Sequence, residues 1–401
     1  MLKQPAGVNP IAATIAYFFA FILLGLTTAA TGPTLPALAN QTSSRIDQIS
    51  LIFVTSSFGY LLGSMIGGRT YDRIPGHRVI SIALVVLAIF VALVPIVPAL
   101  WSLAVIVLIL GFTQGVIDVG GNTLLMWIHG SGVGPYMNGL HFFFGVGALI
   151  SPIVVAQVVR ITGEIHWIYW LYGLVALPVS AWIWFLPSPS PREKTSSEAA
   201  KPTYFIIVFL VSLFFFLYVG AEIGYGNWIF TYTTTLELGS PISAAYLTSA
   251  FWGFFTLGRL AGIPISTRVG SNKILFTDLI GCLLSLGLII IGANSTNILW
   301  FGTIALGLSM ASIFPTMMTL AEEKMHITGS VTGWFLVGTG LGGMFLPWVI
   351  GQAFVLVGPQ VVMKIIFIDI LVNIIILVVI AGRFGIQRRL FIPKSVPEKT
   401  L

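Results

Sequence analysis

Along its whole length the chain alternates apolar runs of about twenty residues with short breaks of charged, Pro, Gly, Ser or Thr positions. The runs fall near residues 11–35, 49–68, 79–98, 103–127, 139–159 and 167–186, and, after one long polar stretch, near 204–232, 242–263, 274–293, 299–321, 331–357 and 361–383. A helix needs roughly 20 apolar residues to cross the hydrocarbon of a bilayer, so the pattern predicts an all-α membrane protein of twelve transmembrane helices. Strands of a membrane barrel would alternate over about ten residues, a pattern these runs do not have.

Composition supports the same class, with 57% hydrophobic residues, 8% charged ones and a mean hydropathy of +0.99, against ~25% charged in soluble domains. The net charge of +6 is no nucleic-acid footprint, because the basic residues stand singly or in pairs at the ends of apolar runs. Placing both termini in the cytoplasm puts sixteen of the nineteen Lys and Arg residues inside and leaves Arg45, Arg160 and Lys364 outside. Arg259 is counted among the inside set. The one cysteine, Cys282, lies within an apolar run and has no partner for a disulfide or a metal site. The first run is too long for a signal-peptide core and is read as a retained helix.

The polar stretch PSPSPREKTSSEAAKPT at 187–203 has the composition of a solvated linker. It divides the chain into a six-helix bundle over 1–186, a second over 204–383 and a basic tail over 384–401. The bundles repeat. At an offset of 195, Gly63 superposes on Gly258, Gly67 on Gly262, Arg73 on Arg268 and Pro152 on Pro347, with Gly115 and Gly307 matching nearby. Parallel repeats of this kind bind solute between the halves, which rock to give alternating access.

The loop after the second run, GRTYDRIPGHR at 68–78, pairs Gly68 and Gly76 with Asp72, Arg73 and Arg78. It resembles the signature loop of the major facilitator superfamily, with one extra residue at Pro75. Glycines permit close helix packing, and an acid can meet positive groups or a helix N-terminus across the half interface in the outward-facing state. The second half keeps Arg268 but has Thr267 where Asp72 would fall. The alternative is that Arg73 and Arg78 only fix topology. Within the superfamily, DVGGNTL (118–124), PYMNGLHFFFGVGALISP (135–152) and YVGAEIGYGNWIFTYTT (218–234) resemble the sodium-dependent glucose transporter group and, more distantly, the bacterial fucose permeases. The resemblance implies sugar uptake driven by a cation gradient.

An ionisable residue at a helix centre costs at least ~2.5 kcal/mol and is a functional candidate by default. Asp118 and Glu222 lie deep in the fourth and seventh runs, on helices that line the cavity in this superfamily. Asp118 is the first candidate for cation coupling, since a carboxylate in a low-dielectric cavity can load and release a proton as access alternates. The fucose permeases carry an acid at the matching position. A structural hydrogen bond to a neighbouring helix is the alternative. Glu222 suits solute or cation binding, or local packing. His141 suits the proton path, or helix capping. Asp369, on a peripheral helix, is assigned to structure, and Asp278 to an ion pair with Lys273.

Sugar sites set aromatic faces against ring CH groups and amides or carboxylates against hydroxyls. Gln114, Asn122, Glu222, Asn227 and Trp228 are the candidates, with Trp252 and Trp334 placed to reach the centre. Thr27, Thr28 and Thr31, in a proline-containing first helix, either face the pathway or satisfy backbone carbonyls. No phosphate-binding loop, Ser/His or Cys/His pair or metal-ligand cluster occurs, so neither an enzyme nor an ATP-driven pump is expected. The reading is a proton-coupled symporter of a hexose-like sugar, working as a monomer in the plasma (inner) membrane. It has no cofactor beyond a proton or sodium gradient and no partner beyond the small-molecule substrate and the lipid bilayer. Sodium-coupled sugar symport, a proton-driven drug or lipid exporter, and a non-transporting receptor or scaffold are the alternatives.

Overall fold

The computed structural model describes residues 9–190, 205–325 and 329–390, and no strand occurs among them. Most of the expected linker and the tail from 391 onward lie outside the described residues.

The first crossing is broken rather than a single bent helix over 11–35. Helices α1 (Pro10–Ala29) and α2 (Thr31–Gln41) meet at Ala30, because Pro33 has no N–H to give to the Ala29 carbonyl. The second crossing starts with one turn, α3 (Ile46–Ile49), and continues as α4 (Leu51–Tyr71). Then follow α5 (Gly76–Leu93), α6 (Leu100–His129), α7 (Gly134–Thr162) and α8 (His166–Phe185). Beyond the linker come α9 (Phe205–Thr235), α10 (Pro241–Ser266) and α11 (Ser271–Ile291). The tenth crossing is also split, into α12 (Thr296–Met310) and α13 (Ile313–Lys324), with Pro315 unable to bond the Ala311 carbonyl. The last two are α14 (Gly329–Val357) and α15 (Val361–Leu390), so the helix continues through the first residues of the expected tail. Twelve crossings return the chain to its starting side. That side, carrying Pro10, the 72–78 loop and Leu390, is here called the base.

Eleven crossings are long and apolar enough by themselves to span a membrane. The remaining one, the eighth crossing α10, is 26 residues long but rich in Ser, Thr, Gly and Pro. It packs among α7, α9 and α12 and so sits between the halves, where small residues permit close approach. Outer faces carry what lipid requires: Leu284, in the middle of α11, is 70% exposed.

Helices α1–α8 pack mainly on one another, as do α9–α15. The internal repeat has a physical basis in the glycine contacts. A Cβ on Gly25 would strike the Phe144 carbonyl, and one on Gly147 the Ile22 carbonyl, so α1 and α7 touch through backbone. Adding 195 to each number gives Gly220 and Gly342, where the same contact joins α9 to α14: a Cβ on Gly342 would strike the Phe216 carbonyl.

The halves meet along α7 with α10, α4 with α14, and, at the far end only, α2 with α9. There a Cβ on Gly32 would lie 2.9 Å from the Asn227 Cα, and Gln352 donates its amide to the Asp47 carbonyl at 2.8 Å and to Ser50 Oγ at 3.2 Å. The far end is therefore closed. Toward the base, His141 on α7 is exposed and Asp118 and Glu222 are half-buried, so the cleft reaches solvent from that side.

Candidate functional site

Asp118 lies eleven residues from the base end of α6, about 16 Å deep at 1.5 Å per residue. Its Oδ2 accepts the Tyr60 hydroxyl from α4 at 2.5 Å, and its Oδ1 accepts the Asn122 amide from the next turn at 3.2 Å. The amide of Asn122 also reaches the Asp118 carbonyl at 2.9 Å, so Asn122 acts on Asp118 rather than standing free for solute. Glycines make this possible: Gly59, Gly63 and Gly115 let α4 and α6 touch through backbone, which brings the Tyr60 ring over Asp118. One turn toward the far end, Gln114 donates to Thr27 Oγ1 on α1 at 3.1 Å, while Thr27 itself donates to the Leu23 carbonyl.

Glu222 is the counterpart of Thr27 at the offset of 195 and occupies the inner face of α9. Tyr218, one turn before it, donates to the Met310 carbonyl at 2.7 Å, at the break between α12 and α13. Facing Glu222 from α10 is Arg259, whose guanidinium carbon lies 4.4 Å from the Phe255 ring centroid. Its Nε is buried without a hydrogen-bond partner. The sequence places Arg259 within the 242–263 run, four residues from its base-side end, and counts its charge with the inside set. It stands seven residues inside α10, between Gly258 and Gly262. His141 faces Arg259 from the other half and meets Phe21 edge-on at 6.0 Å between centroids.

The tryptophans divide differently from expectation. Trp228 is fully buried, donates Nε1 to the Pro347 carbonyl at 2.9 Å and packs on Phe354 and on Phe53 of the other half. It is a packing residue of the far-end closure, not a surface offered to solute. Asn227 is also drawn into that closure, with its amide on the Ile223 carbonyl at 2.9 Å. Trp334 is 56% exposed only five residues into α14 and does not reach the centre. Trp252 does lie deep, packed against Gly226, and its Nε1 is buried without a partner. The same contact sets the register of α9 against α10 and brings Thr231 and Ser249 level with one another. Their hydroxyl oxygens are buried and unpaired as well. Thr231 and Ser249 are not singled out by the sequence, where nothing distinguishes them from other small polar helix residues.

The 72–78 loop is exposed apart from Gly76 and His77. Asp72, Arg73, His77 and Arg78 line a cavity of about 520 Å3 together with Trp127, Trp184, Leu186 and the first linker residues 187–190. Gly76 packs on Leu124, Gly68 approaches only Val119, and Arg268 is exposed beyond the end of α10. Two further acids depart from expectation. Asp278 accepts from Ser312 Oγ rather than pairing with Lys273, because the α12–α13 break turns that hydroxyl onto α11. Asp369 is 5% exposed with Oδ2 unpaired, so no hydrogen bond to that oxygen accompanies the structural role expected of it.

The family model of the Major Facilitator Superfamily matches residues 17–347. The chain is 30% identical to the mouse sodium-dependent glucose transporter 1A over 372 residues, covering 83% of this chain and 88% of that protein. It is 31% identical to the human sodium-dependent glucose transporter 1, covering 82% and 71% respectively. Mouse major facilitator superfamily domain-containing protein 4A is 26% identical over 85% of this chain and 86% of its own. Among solved structures, a mutant form of the nucleoside transporter NupG superposes with a TM-score of 0.76 at 15% identity, covering 94% of this chain and 99% of that one. With twelve crossings in two repeats and a family match over most of its length, the chain belongs to the major facilitator superfamily.

Proposed function

We propose that this transporter moves a hexose-like sugar by alternating access and couples it to a monovalent cation at Asp118. The observation that carries the coupling role is the Asp118 carboxylate itself. It is half-buried at mid-depth of α6, held by Tyr60 and Asn122, and has no cationic partner among the described residues. A carboxylate so placed must be met by a proton or a sodium ion each time the surrounding cleft changes sides. Sugar is favoured by the unpaired buried groups of Trp252, Thr231 and Ser249, since a polyhydroxyl solute supplies both donors and acceptors. It is favoured also by two relatives named for glucose transport.

Proton coupling is the primary reading. The relatives' names favour sodium as a second one. The base is the cytoplasmic side by its excess of Lys and Arg, so the structure corresponds to the cytoplasm-facing state, and the 72–78 loop acts in the opposite one. The test is uptake of labelled glucose, fucose and other hexoses into proteoliposomes, under a proton gradient and a sodium gradient applied separately. Accumulation under one gradient, lost in Asp118→Asn, is the expected result. No accumulation of any sugar under either gradient sinks the substrate assignment.

A further inference from the structure

Arg259 has no role in the reading given above, yet it is a cation well inside a membrane helix at the seam of the two halves. Helix register fixes its neighbours. On α7 and α10, Gly253 meets Leu149, Gly145 meets Thr256, and Gln157 bonds Tyr246, so the two helices run antiparallel with His141 level with Arg259. On α9 and α10, Gly226 meets Trp252, which puts the Arg259 level beside Val219, next to Tyr218 and about one turn from Glu222. Tyr218 donates to the Met310 carbonyl and also interacts with the Glu222 side chain. Glu222 is thus the acid that Arg259 faces, and the two are near enough to interact but form no direct ion pair. The guanidinium rests on Phe255 with Nε unpaired.

We propose that Arg259 is the fixed counter-ion of Glu222, and that this pairing leaves Asp118 as the one acid of the cleft whose charge an imported cation must meet. The inference rests on the coupling role assigned to Asp118 and deepens it: a single monovalent cation accompanies each solute. A lone charge in a membrane interior is expensive, and a pair within reach of each other lowers that cost without drawing on the external ion. Because the two are not in direct contact with each other, a solute hydroxyl can enter between them and bond both.

The experiment uses the full chain and the variants Glu222→Gln, Arg259→Gln, the double variant and Arg259→Lys. Each is reconstituted for gradient-driven uptake of labelled glucose and melted in detergent. Each single neutralisation strands a buried charge and is expected to cut accumulation about tenfold or more and to lower Tm by several degrees, while the double variant recovers to within about threefold of the parent. Arg259→Lys keeps the charge but loses the planar stack on Phe255, and is expected to fall between the parent and Arg259→Gln on both readouts. The ratio of cation to glucose, from the gradient that just balances a glucose gradient, is expected to be one in the parent and in the double variant. A double variant as impaired as the singles in both uptake and Tm overturns the pairing, as does an Arg259→Gln variant indistinguishable from the parent. A balance ratio of two overturns the single-cation count. If the parent accumulates no glucose, the transport reading fails by itself, and the pairing is still decided by whether the double variant restores Tm.

Discussion

The Tyr60 hydroxyl and the Asp118 carboxylate, on the two helices of the first half that touch most closely, lie 2.5 Å apart, and the hydroxyl takes the same oxygen that a coupling cation would need. Donor and cation therefore compete. Tyr60→Phe removes the competitor and leaves the ring, so the half-saturating concentration of the driving cation is expected to fall by about 3–10-fold, the worth of one hydrogen bond to a charged group. Solute KM at saturating cation stays unchanged. Uptake titrated against the cation checks this, and a rise in the half-saturating concentration would count against competition.

Gln352 ties the halves at the far end through the Asp47 carbonyl and Ser50 Oγ. Replacing it with Leu removes two bonds that exist only in the far-end-closed state, which shifts the equilibrium toward far-end opening by about tenfold. Spin labels at Ser43 and Glu237, exposed positions on opposite halves in a Cys282→Ser background, report the change as a longer distance population. An unchanged distribution means the closure is carried by the α2–α9 backbone contact alone.

Trp228 gives a test of packing against binding. Trp228→Phe keeps the aromatic contact with Phe354 but leaves no donor for the Pro347 carbonyl, so a loss of about 1–2 kcal/mol in stability is expected with solute KM unaltered. A rise in KM with unchanged Tm would return Trp228 to the solute site.

Periodic apolar runs specify helices well, so the twelve crossings, the repeat at 195 and the depth of Asp118 and Glu222 are all legible. What a run cannot specify is azimuth, the direction in which each residue points around its helix. Asn227, Trp228 and Glu222 are within six residues of one another, yet Trp228 turns into the second half while Glu222 faces the cleft. Arg259 is a related case: its run places it in a helix near the base, but not its guanidinium against Phe255 with Nε buried. The breaks at Ala30 and between α12 and α13 are partly readable from Pro33 and Pro315. Whether a proline bends a membrane helix or splits it depends on the neighbours that satisfy the freed carbonyl.

The glycine contacts provide the most stringent check on the repeat. At Gly342 a Cβ would strike the Phe216 carbonyl, and at its counterpart Gly147 the Ile22 carbonyl, and backbone on both sides cannot give way as a flexible side chain can. Gly147→Val and Gly342→Val are therefore each expected to force apart one helix pair, α1 from α7 or α9 from α14, at a cost of about 3 kcal/mol or more. Gly270→Ala, where nothing lies within 4 Å of the added carbon and φ is −67°, serves as the neutral control. Melting in detergent should place the two variants together, several degrees or more below the control. If only one of the pair is destabilised, the halves are related in sequence but not in the way their inner helices pack, and the symmetry argument that sets Glu222 level with Thr27 loses its footing.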